Sequence, residues 1–275
     1  MRLNNFNISN EDPMFLIAGP CQLENLDHSI MIASKLKSIC EKLDIGFVFK
    51  GSFDKANRTS ISGKRGLGLE ECMNIFKTVK EKLNIPVLTD VHTIEQCDLV
   101  KDFIDIIQIP AFLCRQTDLL EAAAKTGKII NIKKGQFLAP QNVKGIVQKM
   151  HHFGNKNIIL TERGVSFGYG RLVVDMTGLQ VMKDVSNNTP IVIDATHAVQ
   201  EPSAKGDSSG GNRELAPVVA RAALAATKIA GVFVEVHEDP DNAPSDGPNM
   251  IRLDKIEEIL TQLKQVDGVV KKLDI

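Results

Sequence analysis

The 275-residue chain has no tryptophan, a single tyrosine and a formal net charge of only −1. Its 33 basic residues are balanced by 34 acidic residues, so no overall field of one sign attracts nucleic acid or an anionic membrane. No apolar run approaches the roughly 18 residues that a membrane-spanning helix needs. We therefore expect a protein that binds neither nucleic acid nor membrane.

Cysteine is sparse, and its spacing is not that of a disulfide framework. The five cysteines are scattered, odd in number and contain no Cys-x-x-Cys pair, which indicates a reducing compartment. The first fifteen residues lack the apolar core of a secretory signal peptide. These features predict a cytoplasmic protein.

Short apolar runs recur along the chain and predict its fold. They occupy 14–19, 45–50, 85–90, 105–110, 128–133, 157–162, 190–195 and 231–236. The runs are continuous, as expected of strands covered on both faces, and segments of helical periodicity separate them. Eight strands with helices between them predict an α/β protein, a (β/α)8 TIM barrel, forming a single domain over 1–275. An open doubly wound sheet is the alternative.

Two segments lie outside this pattern. Residues 1–12 are predicted to form a short N-terminal extension that plugs the base of the barrel. Residues 199–213, VQEPSAKGDSSGGNR, follow the seventh strand and are rich in glycine and serine. This composition predicts a mobile lid, with a loop of no function as the alternative.

Polar side chains collect where the predicted strands end, which is the end of a barrel that carries the active site. They are Cys21, Lys50, Lys55, Asn57, Arg58, Asp90, His92, Gln108, Arg115, Lys133, Lys134, Glu162, Arg163, Asp194, His197, Glu235, His237 and Asp246. Because ionisable or polar groups follow all eight strands, we expect a charged ligand over the barrel mouth.

One subset of these residues is cationic. It comprises Lys50, Lys55, Arg58, Lys133 and Arg163. Arginine forks and lysine charges match phosphate and carboxylate oxygens, so the subset predicts anion binding. The alternative is that Asp54, Asp90 and Glu162 neutralise these cations within the protein.

A second subset offers donors for a metal ion. Cys21, His197, Glu235 and Asp246 together supply the thiolate, imidazole and carboxylate groups that bind divalent transition metals. They follow three different strands, so their spacing alone leaves both a metal site and ordinary pocket residues open. Cys21 by itself could also be a small buried residue or a nucleophile.

Ordered blocks of sequence carry a resemblance to a known family. They read AGPC, FKGSFDKANRTS, TDVH, QIPAFLCRQTDLL, NIKKGQF, TERGVSFGYGRLVVDM, DATHAVQ and VFVEVHEDPDNAPSDGPN, between about residues 13 and 266. This series resembles the 3-deoxy-D-manno-octulosonate 8-phosphate synthases. The sister synthases of the shikimate pathway have KPRTS where this chain has KANRTS.

The resemblance implies a transferase with a barrel fold. Such an enzyme joins phosphoenolpyruvate and D-arabinose 5-phosphate with water and releases 3-deoxy-D-manno-octulosonate 8-phosphate and phosphate, in lipopolysaccharide biosynthesis. The resemblance also implies a homotetramer in which Arg115 reaches the sugar phosphate bound by a neighbouring subunit. Alternatives are the sister synthase, a Schiff-base aldolase that uses Lys50 or Lys133, and a non-catalytic phosphosugar-binding barrel.

Roles follow from the resemblance for the matching positions. For phosphoenolpyruvate, Lys55, Lys133 and Arg163 would hold the phosphate and carboxylate, with Lys50, Ser52 and Gln108 nearby. For the sugar phosphate, the matching residues are Asn57, Arg58 and Thr59, and Asp90 would lie near both the sugar and the metal. The residues expected to be catalytic are Lys55, Asp90, Lys133, His197 and Asp246.

The resemblance also implies a divalent metal ion, which would be Mn, Fe, Co or Zn. Members of the metal-dependent class have a cysteine where AGPC has Cys21, and His197, Glu235 and Asp246 match the other three ligands. The segment SDGPNM at 245–250 is closer to metal-independent members. The strictness of the metal requirement therefore stays open.

Overall fold

A closed barrel of parallel strands forms the centre of the molecule, as the sequence predicts. The computed structural model describes residues 1–58, 60–201 and 210–274. Its barrel strands pair in chain order, and the eighth strand (Gly231–His237) pairs with both the first (Phe15–Gly19) and the seventh (Ile191–Asp194). These last two pairings close the sheet and bring all the strand ends around one mouth.

The bounds of the elements lie close to the predicted segments. The other barrel strands are Gly46–Lys50, Val87–Asp90, Ile106–Ile109, Ile129–Lys133 and Ile158–Glu162. The helices are α1 (Leu26–Lys42), α2 (Leu69–Leu83), α3 (Ile94–Val100), α4 (Thr117–Lys125), α5 (Val143–His152), α6 (Met176–Val185), α7 (Ala195–Ala198), α8 (Ala216–Ala226) and α9 (Ile256–Val270). Within the described residues, no helix combines the length and apolar character needed to cross a bilayer.

Short strands decorate the barrel. Antiparallel pairs form between Arg2–Leu3 and Phe6–Asn7, between Val165–Ser166 and Leu172–Val173, and between Gln200–Glu201 and Gly210–Gly211. Ile251–Arg252 extends the sheet beside the eighth strand. The last antiparallel pair brackets residues 202–209, so most of the predicted lid at 199–213 lies outside the described residues.

Apolar side chains fill two layers, which explains why the strands have no polar face. Ile17, Val48, Leu88 and Phe233 point into the barrel and are fully buried there. The alternate side chains of the strands pack against the inner faces of the helices, in the larger outer layer. Full burial of one such side chain stabilises the fold by about 1.5–3 kcal/mol.

The N-terminal segment plugs the base of the barrel, as predicted. Ile8 is fully buried in the interior layer, and the ring of Phe6 stacks on Phe15 with centroids 5.8 Å apart. Asn10 is also fully buried. Its amide donates to the carbonyls of Asn188 and Thr189, and its oxygen accepts from the Ile191 amide at 2.8 Å.

We predict that Asn10→Ala lowers the free energy of unfolding by about 2 kcal/mol, because it leaves buried backbone groups without partners. Chemical denaturation followed by circular dichroism measures the change. The exposed Asn5 provides the control, and Asn5→Ala should shift stability by less than about 0.5 kcal/mol. Equal effects of the two substitutions would contradict an anchoring role for Asn10.

Candidate active site

Charged side chains are buried together inside the mouth of the barrel. Lys50, Lys133 and Asp194 are the last residues of their strands, and Glu235 lies near the end of the eighth strand. Each is at most 5% exposed. Because an unpaired buried charge is costly, these groups are expected to neutralise one another or to bind a charged ligand.

Lys50 and Glu235 form a buried ion pair across the barrel. Lys50 Nζ lies 2.5 Å from Glu235 Oε1 and also donates to the carbonyls of Pro20 and Cys21, the latter at 2.8 Å. Burial raises the pKa of the Glu235 carboxyl, but the charges of Lys50, His197 and Lys55 together outweigh burial and hold that pKa well below its usual range. The pair therefore fixes the turn after the first strand, where Cys21 lies.

Asp194 holds two other site residues. Its carboxylate pairs with Lys133, and its Oδ1 accepts from the His197 backbone amide at 3.0 Å, which caps the short helix α7. His197 Nδ1 lies 2.8 Å from Asp194 Oδ2, although not aligned as a hydrogen bond. Burial raises the pKa of the Asp194 carboxyl, but the neighbouring His197 and Lys133 charges lower it overall.

A third group follows the second and third strands. Ser52 donates to Asp90 Oδ1 at 2.5 Å, and Lys55 Nζ donates to Ser52 Oγ at 3.0 Å. His92 Nε2 lies 3.0 Å from Asp90 Oδ2. Burial lowers the pKa of His92, but the hydrogen bond to Asp90 and the charges of Asp90 and Asp54 together raise that pKa above its ordinary value. Asp90 thus lies between His92 and the Ser52 hydroxyl, which Lys55 contacts from its other side.

Arg163 is a buried cation of the barrel mouth that lacks an ion-pair partner among the described residues. It is 4% exposed, and among the described residues its guanidinium forms no ion pair. Its Nη2 donates to Gln200 Oε1 at 3.2 Å, whereas its Nη1 is buried without a hydrogen-bond partner. Buried donors are nearly always bonded, so this nitrogen is available to a ligand that brings an acceptor.

The sequence analysis offered three carboxylates that could neutralise the cationic subset, and the structure does not pair them with those cations. Asp54 pairs with Arg65 near the surface, and Glu162 lies 3.5 Å from Lys134. Asp90 contacts Ser52 and His92 instead of accepting directly from a lysine. The carboxylates that neutralise Lys50 and Lys133 are those of the seventh and eighth strands, described above.

Three of the four predicted metal ligands lie close together. One donor atom each from Cys21, Glu235 and Asp246 falls within 4.8 Å of the others, and Cys21 Sγ lies 3.2 Å from Asp246 Oδ2. His197 is farther out, with its Nε2 3.8 Å from Glu235 Oε2. The donor set of thiol, imidazole and two carboxylates fits a divalent transition metal.

Cys21 is poorly suited to act as a nucleophile. Burial, followed by the charge of Glu235, raises the pKa of its thiol, and only the thiolate form is strongly nucleophilic. Its Sγ contacts Ser245 Oγ at 2.9 Å as well as Asp246. Asp246 has a backbone φ of +50°, a strained conformation for a residue with a side chain.

A second histidine–carboxylate group has a different character. His237 Nε2 lies 2.7 Å from Glu24, and His237 Nδ1 accepts from the Asp239 amide at 3.0 Å. An Nδ1 that accepts leaves the proton of a neutral imidazole on Nε2, which then donates to Glu24. The arrangement is a hydrogen-bonded pair, and His28 lies close enough that one donor atom from each of the three residues falls within 4.8 Å of the others.

The remaining predicted binding residues are less enclosed. Gln108 is buried and accepts from Asn131 inside the barrel, while Arg58 donates to Gln22 Oε1 at 3.1 Å. Asn57 and Arg115 are exposed, and the Arg115 side chain joins none of the clusters above. Thr59, predicted to bind the sugar phosphate, lies outside the described residues.

The sequence-based assignment of roles missed several residues that shape the site. Asp194 was noted only as a strand end, although that position is itself a signal. Thr196 Oγ1 accepts from the Glu235 amide at 3.1 Å, and Gln200 and Ser245 contact predicted ligands. All three residues lie within sequence blocks that carry the family resemblance, but the sequence analysis gave them no role.

The barrel mouth thus combines ion-paired lysines with an arginine that has an unpartnered nitrogen, a composition typical of proteins that bind anionic ligands. Comparison with known proteins gives the family of the chain. Residues 2–272 match the model of the DAHP synthetase I family. Because the match spans nearly the whole sequence, the chain belongs to that family.

Three curated relatives are similar to the chain over nearly its whole length. A protein of Bartonella henselae is 54% identical over 272 residues, covering 99% of this chain and 96% of the relative. Relatives from Chelativorans sp. (56% identical, 96% and 94% covered) and Rickettsia bellii strain OSU 85-389 (53%, 99% and 98%) are equally similar. All three are named 2-dehydro-3-deoxyphosphooctonate aldolase.

We predict that Asp90→Asn lowers the pKa of His92, because the substitution removes the carboxylate that stabilises the imidazolium. In the parent protein the His92 midpoint should lie above the ordinary value of about 6.5. An NMR titration of labelled histidine measures it, with His152 at the exposed end of α5 as the internal control. An unchanged His92 midpoint would contradict the contact.

Proposed function

We propose that this chain is a 3-deoxy-8-phosphooctulonate synthase, which condenses phosphoenolpyruvate with D-arabinose 5-phosphate. The observation that carries the proposal is the buried, unpartnered Nη1 of Arg163 in a mouth lined by lysines. The names of the relatives support the choice of substrates, since 2-dehydro-3-deoxyphosphooctonate is the product of this condensation. The reaction belongs to lipopolysaccharide biosynthesis.

The first task of such a site is to bring two anions together. Arg163, Lys133 and Lys55 would hold the phosphate and carboxylate of phosphoenolpyruvate, with Lys50 and Gln108 alongside. Their charges offset the repulsion between the substrates and fix the geometry of approach. Positioning of this kind lowers the barriers of well-oriented reactions by about 7–11 kcal/mol.

The second task is to join the carbon atoms. Carbon 3 of phosphoenolpyruvate attacks the aldehyde of the sugar phosphate, and water adds at carbon 2. The resulting hemiketal phosphate loses inorganic phosphate by cleavage of its carbon–oxygen bond, which balances the reaction. Asp90, held between Ser52 and His92, lies near the segment after the second strand, in which Asn57 and Arg58 would bind the sugar phosphate.

We further propose that the enzyme is of the metal-dependent class, with Cys21, His197, Glu235 and Asp246 holding Mn, Fe, Co or Zn. The close approach of three of these donors supports the assignment. A divalent ion bound there would act as a Lewis acid that polarises and orients an oxygen ligand. Lys50 and Asp194 fix Glu235 and His197 in place for that role.

A homotetramer completes the proposal, with Arg115 reaching the site of a neighbouring subunit. Three large apolar side chains support it, because Phe112, Phe137 and Phe167 are 54%, 59% and 69% exposed. They lie in the segments that follow the fourth, fifth and sixth strands, and Phe112 is three residues before Arg115. Exposed aromatic groups that gather at one end of a molecule are typical of interfaces.

We also propose a cytoplasmic location, since the five cysteines are unpaired.

We predict that the purified protein releases phosphate from phosphoenolpyruvate only when D-arabinose 5-phosphate is also present. A colorimetric phosphate assay measures the rate, and erythrose 4-phosphate serves as the comparison aldehyde. Faster release with erythrose 4-phosphate would favour the shikimate-pathway sister. Absence of release with either sugar would favour a binding protein without catalysis.

We predict that chelation inactivates the parent protein and that Mn, Fe, Co or Zn restores activity. Cys21→Asn should bind far less metal and should retain phosphate release that chelator no longer affects, because metal-independent relatives have asparagine there. Metal content is measured by elemental analysis. Cys97→Ser, at a buried thiol on α3, is the control and should keep the parent's metal content. A folded but inactive Cys21→Asn protein would contradict this prediction.

A further inference from the structure

We propose that Gln200 is a positioning residue that couples the anion-binding arginine to the metal site. Its side chain lies between Arg163 and Asp246 and contacts both. This inference rests on the proposed function, because it assigns an anion to Arg163 and a metal ion to Asp246.

The two contacts use opposite ends of one amide. Gln200 Oε1 accepts from Arg163 Nη2 at 3.2 Å, and Gln200 Nε2 donates to Asp246 Oδ1 at 3.0 Å. A guanidinium has only donors and a carboxylate only acceptors, so a single orientation of the amide satisfies both partners. A flipped amide would place like groups against each other at both ends.

On the arginine side, Gln200 orients the guanidinium. It engages Nη2 and leaves the buried Nη1 open for a ligand. The planar fork of arginine is rigid, so holding one nitrogen fixes the direction of the other. An anion that binds Nη1 in turn restricts the guanidinium and with it the amide of Gln200.

On the metal side, Gln200 orients the carboxylate of Asp246. It occupies Oδ1, and Oδ2 faces the Cys21 thiol at 3.2 Å. Partners of this kind hold metal ligands in position, and their loss typically weakens metal affinity by about 10–100-fold.

The backbone of Gln200 is paired within the fold, which fixes the point from which its side chain extends. Gln200 pairs with Gly211 in the short antiparallel ribbon. Gly211 has a φ of +156°, and a Cβ built there would lie 1.5 Å from Asn249 Oδ1. The backbone N–H of Asn249 donates to the backbone carbonyl of Asp246 at 2.9 Å. The ribbon therefore packs directly on the loop that carries Asp246.

A shared amide makes the two binding events reciprocal. If an anion at Arg163 favours the orientation of Gln200 that supports Asp246, the anion tightens metal binding. By linkage the metal then tightens anion binding by the same factor, and such factors typically lie between about 5 and 150.

The test measures metal binding instead of activity. Cobalt(II) is titrated into metal-free protein with and without inorganic phosphate, and the thiolate-to-cobalt absorption of Cys21 reports occupancy. In the parent, phosphate should tighten cobalt binding by about fivefold or more. In Gln200→Leu, cobalt should bind about tenfold or more weakly, and phosphate should no longer change its affinity.

Gln262→Leu is the matched control, because Gln262 accepts from Arg221 Nη1 at 3.1 Å far from the site in sequence. It should retain the parent's cobalt affinity and phosphate effect. If Gln200→Leu fails to fold, Gln200→Asn provides the same test, since its shorter amide cannot span both partners. An undiminished phosphate effect in a folded Gln200 variant overturns the inference alone. No thiolate–cobalt absorption in the parent overturns both the inference and the proposed metal site.

Discussion

The ion pair between Lys50 and Glu235 is the contact on which the rest of the site depends. It joins the second and eighth strands across the interior and, through the Cys21 carbonyl, also fixes the turn after the first strand. Both side chains are 1% exposed, so neither can be satisfied by bulk water. Removing one partner of a buried pair typically costs about 3–5 kcal/mol, because the other charge remains uncompensated. Fold stability and the position of two candidate metal ligands thus rest on the same contact.

The other buried charges named above are also satisfied within the protein, and Arg163 differs from them. Asp194 neutralises Lys133 and orients His197, while Asp90 is held by Ser52 and His92. Lys50 and Lys133 have carboxylate partners, whereas Arg163 has none within 4 Å among the described residues. If an anion binds Arg163 as proposed, no internal ion pair of that guanidinium has to break.

The sequence was sufficient to predict the barrel and the end at which its site lies, because both depend on local pattern. Continuous apolar runs indicate strands buried on two faces, and their last residues must meet at one mouth. The pairings across the mouth could not be predicted, since they depend on register and side-chain direction. Asp54, Asp90 and Glu162 were reasonable partners by proximity in sequence, yet Glu235 and Asp194 are the carboxylates that contact the lysines. Gln200 is part of the block DATHAVQ, but the block does not reveal which side chains its amide contacts.

The segment SDGPNM illustrates how the structure changes the interpretation of a motif. In sequence it resembles metal-independent relatives, which leaves the role of Asp246 open. In the structure Asp246 adopts a φ of +50°, and a Cβ built at Gly247 would lie 2.2 Å from the Pro240 carbonyl oxygen. The close approach of Gly247 to Pro240 therefore leaves no room for a side chain at 247, and the neighbouring Asp246 contacts Cys21. The contacts that orient the Cys21–Asp246 pair come from Ser245 within this segment and from Gln200 outside it. The motif is compatible with a metal ligand at Asp246 because those supporting groups are supplied by this fold.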